Sequence, residues 1–330
     1  MTSANRAATH YTIVFAVFLS LAYATAHAGD SRPLPDWLFP VDPAASQPRP
    51  AFDDVEKVSI PAGEVEYTLA RINNPFNAPD WHPSDHRSMP KIVAQGRAPS
   101  IMACAYCHTP TGQGRPENSA LAGLPAAYIA EQLKNMRSGA RRQVGPDTYL
   151  PITNMIRVAL PLTDDEIADA ADYFSKQKLG ARVNIIEAQR IPRVVRAGWV
   201  YAADSSGGEE ELGQRIIEVA PDIVRHERRD DRMIYTAYVP TGSIARGRSI
   251  AAGATNPTLV CSTCHGPTLK GTELGPPLAG RSPTYLARQL LAFQHRTRST
   301  PKAAAMESIA SELGMNDMIA LAAYAGSLTP

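Results

Sequence analysis

The chain's four cysteines fall into two pairs of one pattern, Cys104-Ala105-Tyr106-Cys107-His108 and Cys261-Ser262-Thr263-Cys264-His265. Two thiols one helical turn apart, with a histidine directly behind, is the spacing of covalent c-type haem attachment. The thiols reach the two vinyl groups of one porphyrin, and the adjoining imidazole comes up beneath the iron as its axial ligand. With 4 Cys and 8 His in 330 residues, one such match arises by chance about once in a thousand such chains. Two matches that consume every cysteine are not accidental.

Other thiol chemistry fits less well. A structural zinc site needs two further ligands, and neither pair has another cysteine pair nearby. A disulfide oxidoreductase motif belongs at a strand-to-helix junction, and no apolar β-branched run precedes either pair. Plain disulfides would leave both histidines unexplained.

A shift of 157 positions superimposes the two motifs and much of the chain downstream of each. Pro110, Thr111 and Gly114 meet Pro267, Thr268 and Gly271, and Leu121-Ala122-Gly123 meets Leu278-Ala279-Gly280. Tyr128, Gln132, Leu133 and Arg141 meet Tyr285, Gln289, Leu290 and Arg298. One module has been duplicated. Apolar residues at helical spacing in 128–137 and 285–296 predict a helix beside each haem.

Each module then ends in a second helix. Thr163 and Glu166 form a capping box, and Ile167, Ala170, Ala171 and Phe174 recur at helical spacing. Met318, Leu321, Ala322 and Leu328 make a weaker stripe in the second copy. A shift of 151 now aligns Leu162 with Leu313, and Met155 with Met306, so the first module carries a longer loop between Arg141 and Met155. A loop thioether in that position is a suitable sixth ligand, being neutral, soft and favourable to ferrous iron. Met136, Met315 and Met318 read as packing residues, and Met102 stands too close to its motif to reach the far face of the haem.

This order resembles the class I cytochromes c, and specifically the tandem diheme cytochrome c4 type: C-x-x-C-H, Leu-Ala-Gly, Tyr-x-x-x-Gln-Leu, a methionine, then Leu-Thr-Asp-Asp-Glu-Ile-Ala-Asp-Ala-Ala-Asp-Tyr-Phe. The resemblance implies an all-α fold of two tandem domains, each holding a covalent haem c. It implies iron ligation by His108 with Met155 and by His265 with Met306, and thioethers at Cys104, Cys107, Cys261 and Cys264. Two departures stand out. The family's proline three residues before the alanine of Leu-Ala-Gly is present as Pro276 but replaced by Ser119 in the first module. About 60 residues also separate the domains where the family has a short link.

The expected organisation is a signal peptide over 1–28, a Pro-rich extension over 29–88, haem domains over 89–180 and 241–330, and an irregular or short-strand connector over 181–240. Arg6, the apolar stretch Tyr11–Ala24 and the Ala26-His27-Ala28 site mark export with cleavage after Ala28, to a periplasm. Brief alternating runs at 57–60, 64–69, 193–196 and 233–239 suit short strands or extended wraps. The mixed-sign run His226–Arg232 reads as a solvated face. His82 and His86 lie four apart, but Pro83 disfavours the helix that would make them a metal pair.

A formal charge of +1 offers no basic excess for nucleic acid. Two six-coordinate irons leave no open position for substrate, so the expected function is single-electron transfer without catalysis. The expected partners are redox proteins: a membrane oxidase, a quinol-oxidising complex or a periplasmic dehydrogenase, with peripheral membrane contact a further option. The alternatives are a diheme oxidoreductase of peroxidase type or a thiosulfate-oxidising enzyme, and the electron-accepting subunit of a dehydrogenase complex.

Overall fold

The computed structural model describes residues 34–42, 55–254 and 260–330. The export signal expected over 1–28 lies outside them. Among the described residues, no helix is long and apolar enough to cross a membrane.

The extension holds two antiparallel two-residue strands, β1 (Lys57–Val58) and β2 (Tyr67–Thr68), followed by α1 (Leu69–Ile72). The Thr68 hydroxyl caps α1 by accepting from the Arg71 amide. Ile60, Ile72 and Trp81 form a small core of their own. Earlier in the extension, Leu38 and Phe39 are buried in a different core, that of the second haem module.

The first module runs through α2 (Lys91–Ala94), α3 (Cys104–His108), α4 (Ala126–Ser138), α5 (Leu150–Ala159) and α6 (Asp164–Ser175). The capping box at the start of α6 is formed in both directions between Thr163 and Glu166. Ile167, Ala170, Ala171 and Phe174 turn inward against Ile92, Val93, Ala105, Leu124 and Ile129. Burial of the larger of these, such as Ile167 and Phe174, contributes roughly 1.5–3 kcal/mol each relative to exposure.

The connector is where the all-α expectation fails. It builds β3 (Val183–Glu187), β4 (Arg190–Pro192), β5 (Val194–Ala197), β6 (Val200–Ala203), β7 (Glu209–Glu211), β8 (Ile217–Ala220), α7 (Ile223–Glu227) and β9 (Tyr235–Val239). Five of these strands form a mixed sheet in the order β3-β9-β8-β6-β5, and β4 pairs with β7. β9 runs parallel to β3, with Val183 opposite Tyr235, and antiparallel to β8, with Ile217 opposite Tyr238. The two haem modules are helical, but the chain as a whole is not. The apolar faces of Ile216, Ala237 and Val239 are buried against the second module, which is why this segment folds as a sheet and not as a loose wrap.

The second module comprises α8 (Ser243–Ala251), α9 (Ser262–His265), α10 (Pro283–Gln294), α11 (Ala304–Ser311) and α12 (Met315–Ser327). α8 crosses α12 at Gly247, where a Cβ would collide with the Ala320 carbonyl oxygen. Pro90 occupies the equivalent place in the first module, so α2 begins only after it and is short. The duplication is written in the backbone too. Thr109, Gly112, Gly114, Gly123 and Gly139 all have positive φ, and so do their counterparts Gly266, Leu269, Gly271, Gly280 and Arg296 at the same offset.

The run His226–Arg232 is not a solvated face. His226, Arg229, Asp230 and Asp231 are each less than a tenth exposed. Their charges are met internally: Arg225 Nε donates to Asp230 at 2.7 Å, Arg229 stacks over Tyr106, and Asp231 meets His82.

Candidate haem sites

Each attachment motif is a single helical turn followed at once by a reversal. Thr109 and Gly266 take up the left-handed region at φ +64° and +80°, directing the chain away from the histidine. The loop then closes on the motif: the Gly114 amide donates to the His108 carbonyl at 3.0 Å, and the Gly271 amide to the His265 carbonyl at 2.8 Å. None of the four cysteines is in a disulfide. Burial pushes the Cys104 thiol up to about 12, so it is held neutral rather than as a thiolate.

The two imidazoles are set alike. His108 Nδ1 lies 2.8 Å from the Ser119 carbonyl oxygen, and His265 Nδ1 lies 2.8 Å from the Pro276 carbonyl oxygen. Only the carbonyl is needed, so serine does at Ser119 what proline does at Pro276. Nδ1 therefore carries the proton, and the Nε2 lone pair is left for a metal. Burial also lowers both imidazole pKa values, that of His108 to about 4, which keeps the rings neutral and able to ligate at neutral pH.

The cytochrome c family model matches residues 93–178. A cytochrome c-554(548) from Halomonas halodenitrificans is 37% identical over 79 residues, covering 24% of this chain and 88% of that protein. The chain belongs to the cytochrome c family. A cytochrome c4 from Pseudomonas aeruginosa is 26% identical over 236 residues, which is 70% of this cytochrome and 86% of its relative. A protein named thiosulfate dehydrogenase electron acceptor, from Stutzerimonas stutzeri, is 28% identical over 238 residues, 71% of this chain and 83% of that one.

The donor set fits the cofactor. Two Cys-x-x-Cys pairs, each with a neutral imidazole whose distal nitrogen is available, are what two covalently bound haem c groups require. Met155 and Met306, expected in loops, stand within helices α5 and α11. Pro151 in the first turn of α5 pre-sets the helical φ, and Val158 and Ala159 bury its inner face. Both methionines are half-buried. Met155 packs on the first module's core together with Cys104 and Tyr128, whereas Met306 packs on Phe293, Ala303 and Ala310, a cluster separate from the one that Cys261 joins.

Behind Cys107 lies a buried polar cluster that sequence reasoning missed. Arg115 Nε lies 3.2 Å from Glu117 Oε1, His226 Nε2 is 3.6 Å from the same oxygen, and His226 Nδ1 is 3.0 Å from the Tyr235 hydroxyl. Burial pushes Glu117 up, but Arg115, His226 and Arg288 together with a backbone hydrogen bond outweigh it and hold the carboxyl below its ordinary value. His82 and His86 are not a metal pair: His82 meets Asp231 at 2.6 Å, and His86 Nε2 meets Asp80 at 3.0 Å. Nothing local in the sequence marks the pairing of His82 with Asp231 or of His226 with Glu117, since those partners lie far along the chain.

Proposed function

We propose that this cytochrome is a periplasmic diheme electron carrier in which His108 with Met155, and His265 with Met306, close both axial positions of the two irons. Haem c, when bound, supplies a one-electron ferric/ferrous couple whose potential is set by its axial ligands and burial. The chain's contribution is to hold each imidazole by a carbonyl, to keep it neutral, and to exclude water. The single observation that carries the reading is the duplicate arrangement of His108 on Ser119 and His265 on Pro276, with the same 2.8 Å spacing at both motifs. Two like sites suit relay of electrons better than a division into one catalytic and one transfer haem. The haem domains are taken as 89–180 and 241–330, the extension as 29–88 and the connector as 181–240.

A donor is suggested by the relatives named thiosulfate dehydrogenase electron acceptor, from two organisms, at 28% and 26% identity. As the electron source, a periplasmic dehydrogenase is therefore favoured over a quinol-oxidising complex. The test is a redox titration of the matured protein with a haem count. Two haems per chain, two reversible one-electron steps, and no turnover of peroxide or of thiosulfate alone are expected. Rapid reduction by thiosulfate only when a thiosulfate dehydrogenase is added supports the partner. Turnover by the isolated chain overturns the carrier reading.

A further inference from the structure

Arg229 belongs to the connector, yet it lies on the attachment turn of the first haem module. Its guanidinium carbon stands 3.9 Å from the centre of the ring of Tyr106, the residue directly before Cys107. The residue is 7% exposed and takes up the left-handed region at φ +60°, which an arginine adopts only where its surroundings impose it. Nη1 donates to the Ile72 carbonyl at 3.2 Å and the Glu227 carbonyl at 2.9 Å, both neutral. Nε has no hydrogen-bond partner among the described residues. The extension closes the same turn: the Tyr106 hydroxyl donates to the Asn73 carbonyl at 3.2 Å, and the Ala103 amide to the Pro75 carbonyl at 2.8 Å. Ala105, within the turn, is fully buried.

The second attachment turn is built otherwise. At the offset of 157, Thr263 stands for Tyr106, Thr272 for Arg115 and Leu274 for Glu117. Thr263 and Leu274 are exposed. The charges that act on the Cys107 sulfur are those of Arg115, Arg229 and Glu117, whereas among the described residues neither an arginine nor a carboxylate acts on Cys261. Ferric haem carries one positive charge more than ferrous haem. A fixed cation beside it therefore favours the ferrous form and raises the potential, the more so where water is kept away. Glu117 offsets Arg115, whose Nε lies 3.2 Å from it. Arg229 is not offset in this way: the carboxylate acting on it, Glu227, does so more weakly than the like charge of Arg115. Its own charge is permanent. The enclosure of the first turn and the charge of Arg229 thus push one potential in one direction.

We propose that Arg229 sets the potential of the first haem above that of the second, so that an electron on the second module passes to the first, the second iron being reoxidised as the first is reduced. The inference rests on the two-haem carrier reading above, which the haem count and the two reversible steps of the unaltered protein test separately. The connector, where the family has a short link, thereby gives electron transfer within the chain a direction.

The experiment is a potentiometric titration of the full, matured chain, with proton magnetic resonance assigning each step to its haem. Phe174, whose ring centre lies 6.3 Å from that of His108, marks the resonances of the first. In the unaltered protein the first haem is expected to be reduced first. Arg229→Gln should lower its potential by about tenfold in the reduction equilibrium, or about 59 mV for a one-electron couple, and move the second haem far less. Arg229→Lys, which keeps the charge and loses the planar stacking on Tyr106, should recover most of the shift, as a purely structural role would not allow. Glu117→Gln should move the first potential the opposite way, and it carries the measurement if Arg229→Gln matures with fewer than two haems. Reduction of the second haem first in the unaltered protein overturns the proposal. So does a two-haem Arg229→Gln variant whose first potential is unmoved, or a shift shared equally by both haems.

Discussion

The imidazole Nδ1 of His82 lies 2.6 Å from Asp231 Oδ1, joining positions 149 residues apart, and the other oxygen of Asp231 accepts from the Thr111 hydroxyl at 2.8 Å. One carboxylate thus ties the extension, the connector and the loop that follows the first haem motif. All three residues are buried. Burial pulls the His82 pKa down, but the hydrogen bond and charge of Asp231 outweigh it, so the imidazole titrates above its ordinary 6.5.

This fixes the sign of the pH dependence. A histidine whose folded pKa is raised contributes stability that is complete below 6.5 and is lost as pH rises through the higher folded value. His86, raised by its hydrogen bond to Asp80, adds in the same direction. The buried His108, His226 and His265, whose pKa values are lowered, act in the opposite sense, so the tie is read as the difference in stability between the unaltered protein and Asp231→Asn. That difference should be about 3 kcal/mol at pH 6, where the variant leaves a buried charge without its partner, and should shrink as pH rises from 6.5 towards 8. A difference that stays constant or grows over this interval rules the tie out.

The two haem sites should respond differently to one small substitution. A Cβ on Gly275 would meet His265 Nδ1 at 2.9 Å and the Cys264 carbonyl oxygen at 3.0 Å. Asn118 stands at the same place in the first module, where its carbonyl and amide pair with the Arg115 backbone at 2.9 Å. Gly275→Ala is therefore expected to displace the His265 ring, cost about 1–3 kcal/mol of stability by overpacking, and disturb the second haem's spectrum and potential alone. Asn118→Ala should leave both haems spectrally intact. Equal effects of the two changes on both haems would contradict this asymmetry.

What was legible in the sequence was whatever covalent geometry or local periodicity dictates. Cys104, Cys107 and His108 must stand at fixed spacing to hold one porphyrin, and Thr163 with Glu166 announces the start of α6 by the same local logic. The equivalence of Arg141 with Arg298 was also visible, but not that the two meet, because only the packing of the modules brings them together. Asp231 shows the limit best. In a mixed-sign run it looks solvated, and only the packing of the distant His82 and Thr111 around it buries it. β8 escaped for a related reason: all four of its residues are buried, Glu218 included through its bond with Ser282 at 2.6 Å, so it lacks the alternation that marks a half-exposed strand. Ser119 looked like a departure because side chains were compared where the working atom is a backbone oxygen.

The assignment of Met155 and Met306 as sixth ligands can be decided without disturbing the fold. Leucine nearly matches methionine in volume, so Met155→Leu and Met306→Leu should each cost under about 1.5 kcal/mol in packing while removing the sulfur. Both side chains are half-buried on helices, and neither is at the centre of a core. Each single variant should then bind one carbon monoxide per chain in the reduced state, the double variant two, and the unaltered protein none. The weak ferric absorption characteristic of methionine ligation should halve in each single variant, and the affected haem's potential should fall, because a neutral thioether favours ferrous iron. Met318→Leu, in a residue fully buried in the second module's core, serves as the control and should leave both spectra unchanged. If Met306→Leu leaves the second haem closed to carbon monoxide while Met155→Leu opens the first, the two modules are ligated differently. The separation of Met306 from the core that Cys261 joins would then be the structural reason.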